Sequence, residues 1–267
     1  MIWETFKLAF QALLRNALRS SLTVLGIVIG VAAVIAMVTI GNGTTAQVTA
    51  DISKLGTNLL TLRPGQGPGR PGGARATAPP FDMDDVEAIE RQIGGVRAVA
   101  PVASAGATAI FANTNWNTSV TGSTNDYFLA RQWSFAEGRR FLENEVRAGV
   151  SVCIIGETVR RELFGGSDPV AERIRLKNVS CEVVGLLAAK GQAGFGGDQD
   201  DTIIMPIRAV QRRFLGNQDV RSIFVSAAEG VSTDRVRRDL TALMRERRRI
   251  STGEEDDFHI FDMTEIT

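Results

Sequence analysis

The sequence predicts an α+β protein with an N-terminal amphipathic helix, one transmembrane helix, and a domain built from two separated strand–helix–strand units with a strand-rich insertion between them. Three observations carry that expectation. Leu22 to Ile40 holds 19 residues and no charge, inside an uncharged run from Ser20 to Ala50. At about 1.5 Å per residue a helix of that length spans roughly 29 Å, close to the hydrocarbon thickness of a bilayer. Residues 57–102 and 217–267 each read as strand, amphipathic helix and strand, whereas residues 103–216 read mainly as short strands.

Taken in order, residues 2–19 place Ile2, Phe6, Phe10, Leu13, Leu14 and Leu18 at helical spacing, with Lys7, Arg15 and Arg19 on a basic side. Residues 1–21 are therefore expected to form a cytoplasmic amphipathic helix on membrane lipid, the alternative being a solvated helix packed on another part of the protein. Residues 22–56 are expected to form the transmembrane helix and a stalk beyond it. A cleaved secretory signal would share the basic leader and the apolar run, and Val48-Thr49-Ala50 is an acceptable cleavage site. The run is longer than a signal's apolar region, however, and the sequence after it continues as plausible helix. Lys7, Arg15 and Arg19 precede the span, and no Lys or Arg follows until Lys54, so the N-terminus is expected in the cytoplasm and the main domain outside. Gly26 and Gly30 form a G-x-x-x-G pair, and Ala32 and Ala36 repeat the spacing. Small residues let helix backbones approach closely, so these four mark a candidate packing face.

Asn58–Leu62 reads as a strand. Residues 63–80 (RPGQGPGRPGGARATAPP) hold five Gly and five Pro and are expected to be a flexible loop, because they cannot bury enough apolar surface to offset the entropy of ordering. Asp82 is a good N-cap for a helix over Met83–Ile93, whose Val86, Ile89 and Ile93 share a face; a strand over Val96–Val102 follows. The second unit runs from a strand at Ser222–Ser226, through a helix at Ser232–Arg248 with Val236, Leu240, Leu243 and Met244 as its stripe, to a strand at Phe258–Phe261. The insertion offers strands at Ala107–Phe111, Asn117–Thr121, Val150–Ile155, Arg173–Lys177, Cys181–Leu187 and Thr202–Met205, with helices at Glu157–Phe164 and Ile207–Leu215.

Composition excludes several kinds of chemistry. Lys+Arg and Asp+Glu both number 30, which removes the basic excess a nucleic-acid binder needs. His259 is the single histidine, no C-x-x-C or H-E-x-x-H occurs, and a metal site would have few ligands to draw on. Asp198, Asp200 and Asp201 follow glycines but lack the closing glutamate of a calcium loop. No G-x-x-x-x-G-K-[ST] phosphate loop is present, and Gly65, Gly67 and Gly69 are interrupted by prolines and open no helix. No catalytic residue and no cofactor is expected. Cys153 and Cys181 are either two small buried apolar side chains, the reading preferred on the residues alone, or one disulfide if the domain lies outside the cytoplasm.

The motifs RSSLTVLGIVIGVAAVIAMVTIGNG from Arg19, LGTNLLTLRPGQ from Leu55, DYFLARQWSFAEGRRF from Asp126, IIGETVRRELFGGSDPVAERIRL from Ile154, VVGLLAAKGQAGFGGDQDDTIIMPI from Val183 and ERRRISTGEEDDFHIFDMTEI from Glu246 run through nearly the whole chain. In that order they resemble the MacB/FtsX-type permease subunits of bacterial ABC transporters, MacB branch. The resemblance implies a bacterial inner-membrane protein whose helix leads to a periplasmic porter-like α/β part (residues 57–102 and 217–267) with an inserted β-rich sabre-like part (residues 103–216). It implies a homodimer of permeases, a separate ABC ATPase subunit, a periplasmic adaptor protein, and three further membrane helices beyond Thr267. It also makes Lys190 to Asp201 a characteristic surface loop, so Lys190, Gly191, Gln192, Phe195, Asp198, Asp200 and Asp201 are candidate partner contacts, against the plainer reading of a structural turn. The implied function is coupling of cytoplasmic ATP hydrolysis to extracytoplasmic movements that drive export. The alternatives are an FtsX-like mechanotransmitter acting on cell-wall hydrolases and a single-span anchored binding module.

Overall fold

The computed structural model describes residues 3–5, 7, 17–55, 58–65, 78–192 and 197–262. Most of the expected amphipathic helix, most of the Gly/Pro loop and Phe195 lie outside the described residues. The chain divides into two units, Met1–Ala50 and Asp51–Thr267.

Helix α1 runs from Ala17 to Leu55. Its segment Ser21–Gly41 has a mean hydropathy of 2.7 and none of it is buried. The polar residues inside this segment satisfy themselves within the helix. Thr23 Oγ1 donates to the Arg19 carbonyl at 2.6 Å and Thr39 Oγ1 to the Ile35 carbonyl at 2.8 Å. A helix in lipid needs this, since no water is available to hydroxyl or backbone groups there.

The second unit is α+β. Strands β1 (Leu59–Pro64), β2 (Val96–Phe111), β9 (Ser222–Ala227) and β10 (Phe258–Asp262) form an antiparallel array in the order β10-β1-β9-β2. The two strand–helix–strand units thus interlock: β9 lies between β1 and β2, and β1 lies between β10 and β9. Helices α2 (Met83–Gln92) and α7 (Thr233–Arg247) pack on one face of the array through Val86, Ile89, Val236, Leu240 and Met244, against Leu60, Leu62, Ile223 and Val225. Burying each such side chain contributes about 1.5–3 kcal/mol. Asp82 caps α2 as expected: its Oδ1 accepts the Asp85 N–H at 2.8 Å, and Asp85 Oδ2 accepts the Asp82 N–H at 3.2 Å. Asp85 also accepts Arg247 Nε at 2.6 Å, tying the start of α2 to the end of α7.

The insertion contains β3 (Thr114–Ser123), α3 (Asp126–Ala130), β4 (Phe135–Gly138), α4 (Glu143–Ala148), β5 (Val152–Ile155), α5 (Glu157–Phe164), β6 (Arg173–Leu176), β7 (Val179–Leu187), β8 (Thr202–Pro206) and α6 (Ile207–Val210), which continues as a π-helical turn, Gln211–Leu215. The pairings β2–β3, β3–β8, β8–β5, β5–β7, β7–β6 and β6–β2 close a ring of strands. Residues two apart share a strand face. Ala107 and Ala109, Cys153 and Ile155, Ile174 and Leu176, Cys181 and Val183, and Ile203 and Met205 therefore meet in one cluster. Residues in the opposite phase, among them Ile154, Val184 and Ile204, join Ala98, Ala100, Val102 and Phe224 of the antiparallel array, together with Tyr127, Phe128 and Trp133 of the α3 region.

Two expectations need correction here. The strands expected at Val96–Val102 and Ala107–Phe111 are one strand, β2, which pairs with β9 over its first half and with β3 over its second. Gly106 does not interrupt it, because the close partner β3 supplies the ladder on that side. The small elements α3, β4 and α4 have no counterpart among the expected elements; each is six residues or shorter, too short for periodicity to mark.

Candidate functional site

The candidate residues that the sequence suggests lie in two places: the apolar helix and the loop between β7 and β8. In α1, a Cβ added at Gly26 or at Gly30 would meet no described atom within 4 Å. Gly26, Gly30, Ala32 and Ala36 are all exposed, the glycine pair and the alanine pair on separate stripes of the helix, and Val28, Ile29, Val31 and Ile35 among them are more than half exposed.

The loop is held by its own charged residues. Asp200 is 5% exposed; its Oδ1 accepts the Lys190 N–H at 2.8 Å and its Oδ2 the Gly191 N–H at 2.9 Å. Asp198 accepts the Thr158 hydroxyl at 2.7 Å and the Asp200 N–H at 2.9 Å. Asp201 accepts the Trp116 indole N–H at 3.0 Å. Gln192 and Asp198 form an antiparallel bridge. Lys190 Nζ donates to the Arg131 carbonyl at 2.5 Å and sits 4.6 Å from the centre of the Trp133 ring. Burial, and then the charge of Arg131, push its pKa down to about 8, with Asp200 opposing. Arg131 Nη2 in turn donates to Gln199 Oε1 at 3.2 Å.

Gly156, where β5 turns into α5, lets this packing close. A Cβ there would lie 2.2 Å from the Asp200 carbonyl oxygen. The carboxylates that the sequence suggested as outward contacts are thus used largely inward, and Asp200 offers almost no surface. Gly191, Gln192 and Asp198 are exposed. Thr158, Trp116, Arg131, Trp133 and Gly156 escaped sequence reading because they come from elements some 40 to 85 residues away in the chain.

Cys153 of β5 and Cys181 of β7 are 0% and 1% exposed, and the structure joins them in a disulfide with Cα atoms 5.9 Å apart. The pairing of β5 with β7 brings them together. Among the described residues no group of acidic, histidine and cysteine side chains could hold a metal ion.

Residues 20–243 match the family described as MacB-like periplasmic core domain. The chain belongs to that family. A macrolide export ATP-binding/permease protein MacB of Bdellovibrio bacteriovorus is 37% identical over 262 residues, covering 96% of this chain and 40% of the relative. The protein of the same name in Chlorobium phaeobacteroides is 36% identical, covering 97% of this chain and 39% of the relative. The chain therefore spans about 40% of the length of these curated relatives. The crystal structure of the periplasmic region of MacB from Actinobacillus actinomycetemcomitans superimposes with a TM-score of 0.68 at 20% identity, over 82% of this chain and 95% of that one. The extracellular domain of the noncanonical ABC-type transporter YknZ from Gram-positive bacteria gives 0.59 at 18% identity, over 76% and 100%. These structures share the fold. Membership in the MacB-like family makes the second unit a periplasmic core domain of the kind found in ABC transporter permeases, preceded here by an apolar helix long enough to cross a membrane.

Proposed function

We propose that this chain forms the first transmembrane helix and the periplasmic core of a permease subunit in a MacB-like ABC exporter, coupling ATP hydrolysis in the cytoplasm to movements outside the membrane that drive substrate export. The observation that carries this is the length of α1: 39 residues without a break, of which only Ser21–Gly41 is needed to cross the bilayer. The remaining helix, to Leu55, ends four residues before β1 begins. A continuous helix transmits displacement along its axis because its backbone hydrogen bonds shorten or lengthen little.

The assignments that follow rest on the family and on this layout. The protein lies in the bacterial inner membrane with its N-terminus in the cytoplasm. The Gly26/Gly30 pair and the Ala32/Ala36 pair pack on other membrane helices, including those of a second permease copy. Residues 57–102 and 217–267 act as the porter-like part and residues 103–216 as the sabre-like part. The Lys190–Asp201 loop contacts a periplasmic adaptor. The curated relatives are named as ATP-binding/permease proteins, and we assign ATP hydrolysis to an ABC ATPase that works with this permease part.

Gln47→Pro tests the coupling. Proline inside a helix removes a backbone hydrogen bond and costs about 3 kcal/mol or more. In proteoliposomes containing the complete transporter, transport should fall at least tenfold while ATPase activity stays within twofold. Undiminished transport in a correctly inserted variant would overturn the proposal.

A further inference from the structure

Arg248, the residue after α7, is joined to several stretches of chain at once. Its Nη1 donates to Asp257 Oδ2 at 2.7 Å, and Asp257 immediately precedes β10. Its Nη2 donates to the Pro79 carbonyl at 2.9 Å, and its guanidinium carbon lies 4.5 Å from the centre of the Phe81 ring. The Arg248 side chain is 9% exposed. Asp257 in turn accepts the Gly65 N–H at its backbone carbonyl, 2.7 Å away, and Gly65 is the residue that follows β1. One ion pair thus holds the end of α7, the approach to β10, and both sides of the Gly/Pro-rich segment. Phe81 extends the connection. Its N–H donates to the Val220 carbonyl at 3.1 Å and its carbonyl accepts the Val220 N–H at 2.9 Å, two residues before β9.

The pair is poorly built for stability. Arg248 Nε and Asp257 Oδ1 are buried and have no hydrogen-bond partner among the described residues. Replacing a buried ion pair by apolar side chains of similar volume is often neutral or stabilising, because taking the charges out of water offsets their attraction. What arginine does offer is a planar fork of donors in fixed directions, which sets the relative positions of the groups it bonds. Those positions bear on the coupling, because β1 is the first strand after α1 and ends next to Gly65.

We propose that Arg248 is a positioning residue in the coupling path, a role that rests on the coupling assigned to α1 above. Motion that reaches β1 passes through Gly65 and Asp257 to Arg248, and from there to α7 and, by way of Pro79 and Phe81, to β9. An apolar pair in the same place keeps the fold and loses the link.

The test compares the double variant Arg248→Met/Asp257→Leu with the wild type in the complete transporter. Its urea midpoint should equal or exceed that of the wild type. Amide exchange at Gly65 should accelerate at least tenfold, while exchange in α2 and β9 changes little. Transport in proteoliposomes should fall at least fivefold with ATPase activity within twofold. Unchanged exchange at Gly65, or undiminished transport, overturns the proposal. If the midpoint falls instead, Asp257→Asn decides, since it keeps the shape of the side chain and removes its charge. Exchange at Gly65 that rises threefold or more together with a fall in transport supports the link, and anything less sinks it. Gln47→Pro keeps the two readings apart. Transport lost there but kept in the double variant removes the link alone. Transport kept there but lost in the double variant removes α1 as the source of the motion and leaves the link standing.

Discussion

Asp200 shows how one side chain shapes a surface without being part of it. It lies almost fully buried, and its two oxygens hold consecutive N–H groups at the start of the loop, Lys190 and Gly191. Asp200→Ala would leave the Lys190 and Gly191 N–H groups without that partner, and the loop, whose Gly191 is already exposed, would open locally so that water satisfies them. Amide hydrogen exchange at Lys190 and Gly191 should therefore accelerate at least tenfold in Asp200→Ala, while exchange in β5 and β8 changes little. Unaltered exchange would mean that the Asp198 and Asp201 contacts suffice to fix the loop. Should the loop meet an adaptor, the same variant would weaken that contact through loss of shape.

At the scale of elements, the disulfide links β5 to β7 across 28 residues of chain, within the cluster where alternate residues of the ring of strands meet. Closing a loop of that size in the unfolded state is worth about 3–4 kcal/mol in the chain-entropy account. Cys153→Ser/Cys181→Ser should lower the urea stability of the folded unit by about that amount, while a retained midpoint would show that the bridge adds no stability. The bridge was open to sequence reading only as one of two alternatives, because spacing between cysteines does not say which strands are neighbours. What was legible followed from local chemistry. Asp82 marks the start of α2, the alternating run Arg173–Lys177 reads as a strand, and so does the apolar run Thr202–Met205. The continuity of β2 was not legible, because its two halves serve different partners, β9 and β3, and each half alone reads as an ordinary short strand. The loop residues were named from sequence, but not their inward bonding, since Thr158, Trp116 and Arg131 reach them only through the tertiary fold.

For the whole molecule the governing asymmetry is that of charge around the span. Lys7, Arg15 and Arg19 precede it, and the next basic residue is Lys54. Basic residues within about 15–20 residues of a span are retained on the cytoplasmic side, and the orientation proposed on that ground would set the second unit in the oxidising compartment where a disulfide persists. The two arguments are independent and can be checked together. Both native cysteines are bridged and buried, so the wild-type chain should be silent to a membrane-impermeant maleimide applied to intact spheroplasts. Asn113→Cys places a thiol on the exposed turn between β2 and β3 and should label from outside. Lys7→Cys lies on the other side of the span and should label only after the membrane is permeabilised. The reverse pattern would invert the orientation and remove the chemical setting for the bridge. Labelling at both positions would show that α1 does not cross the bilayer, and the coupling proposed for it would fail with it.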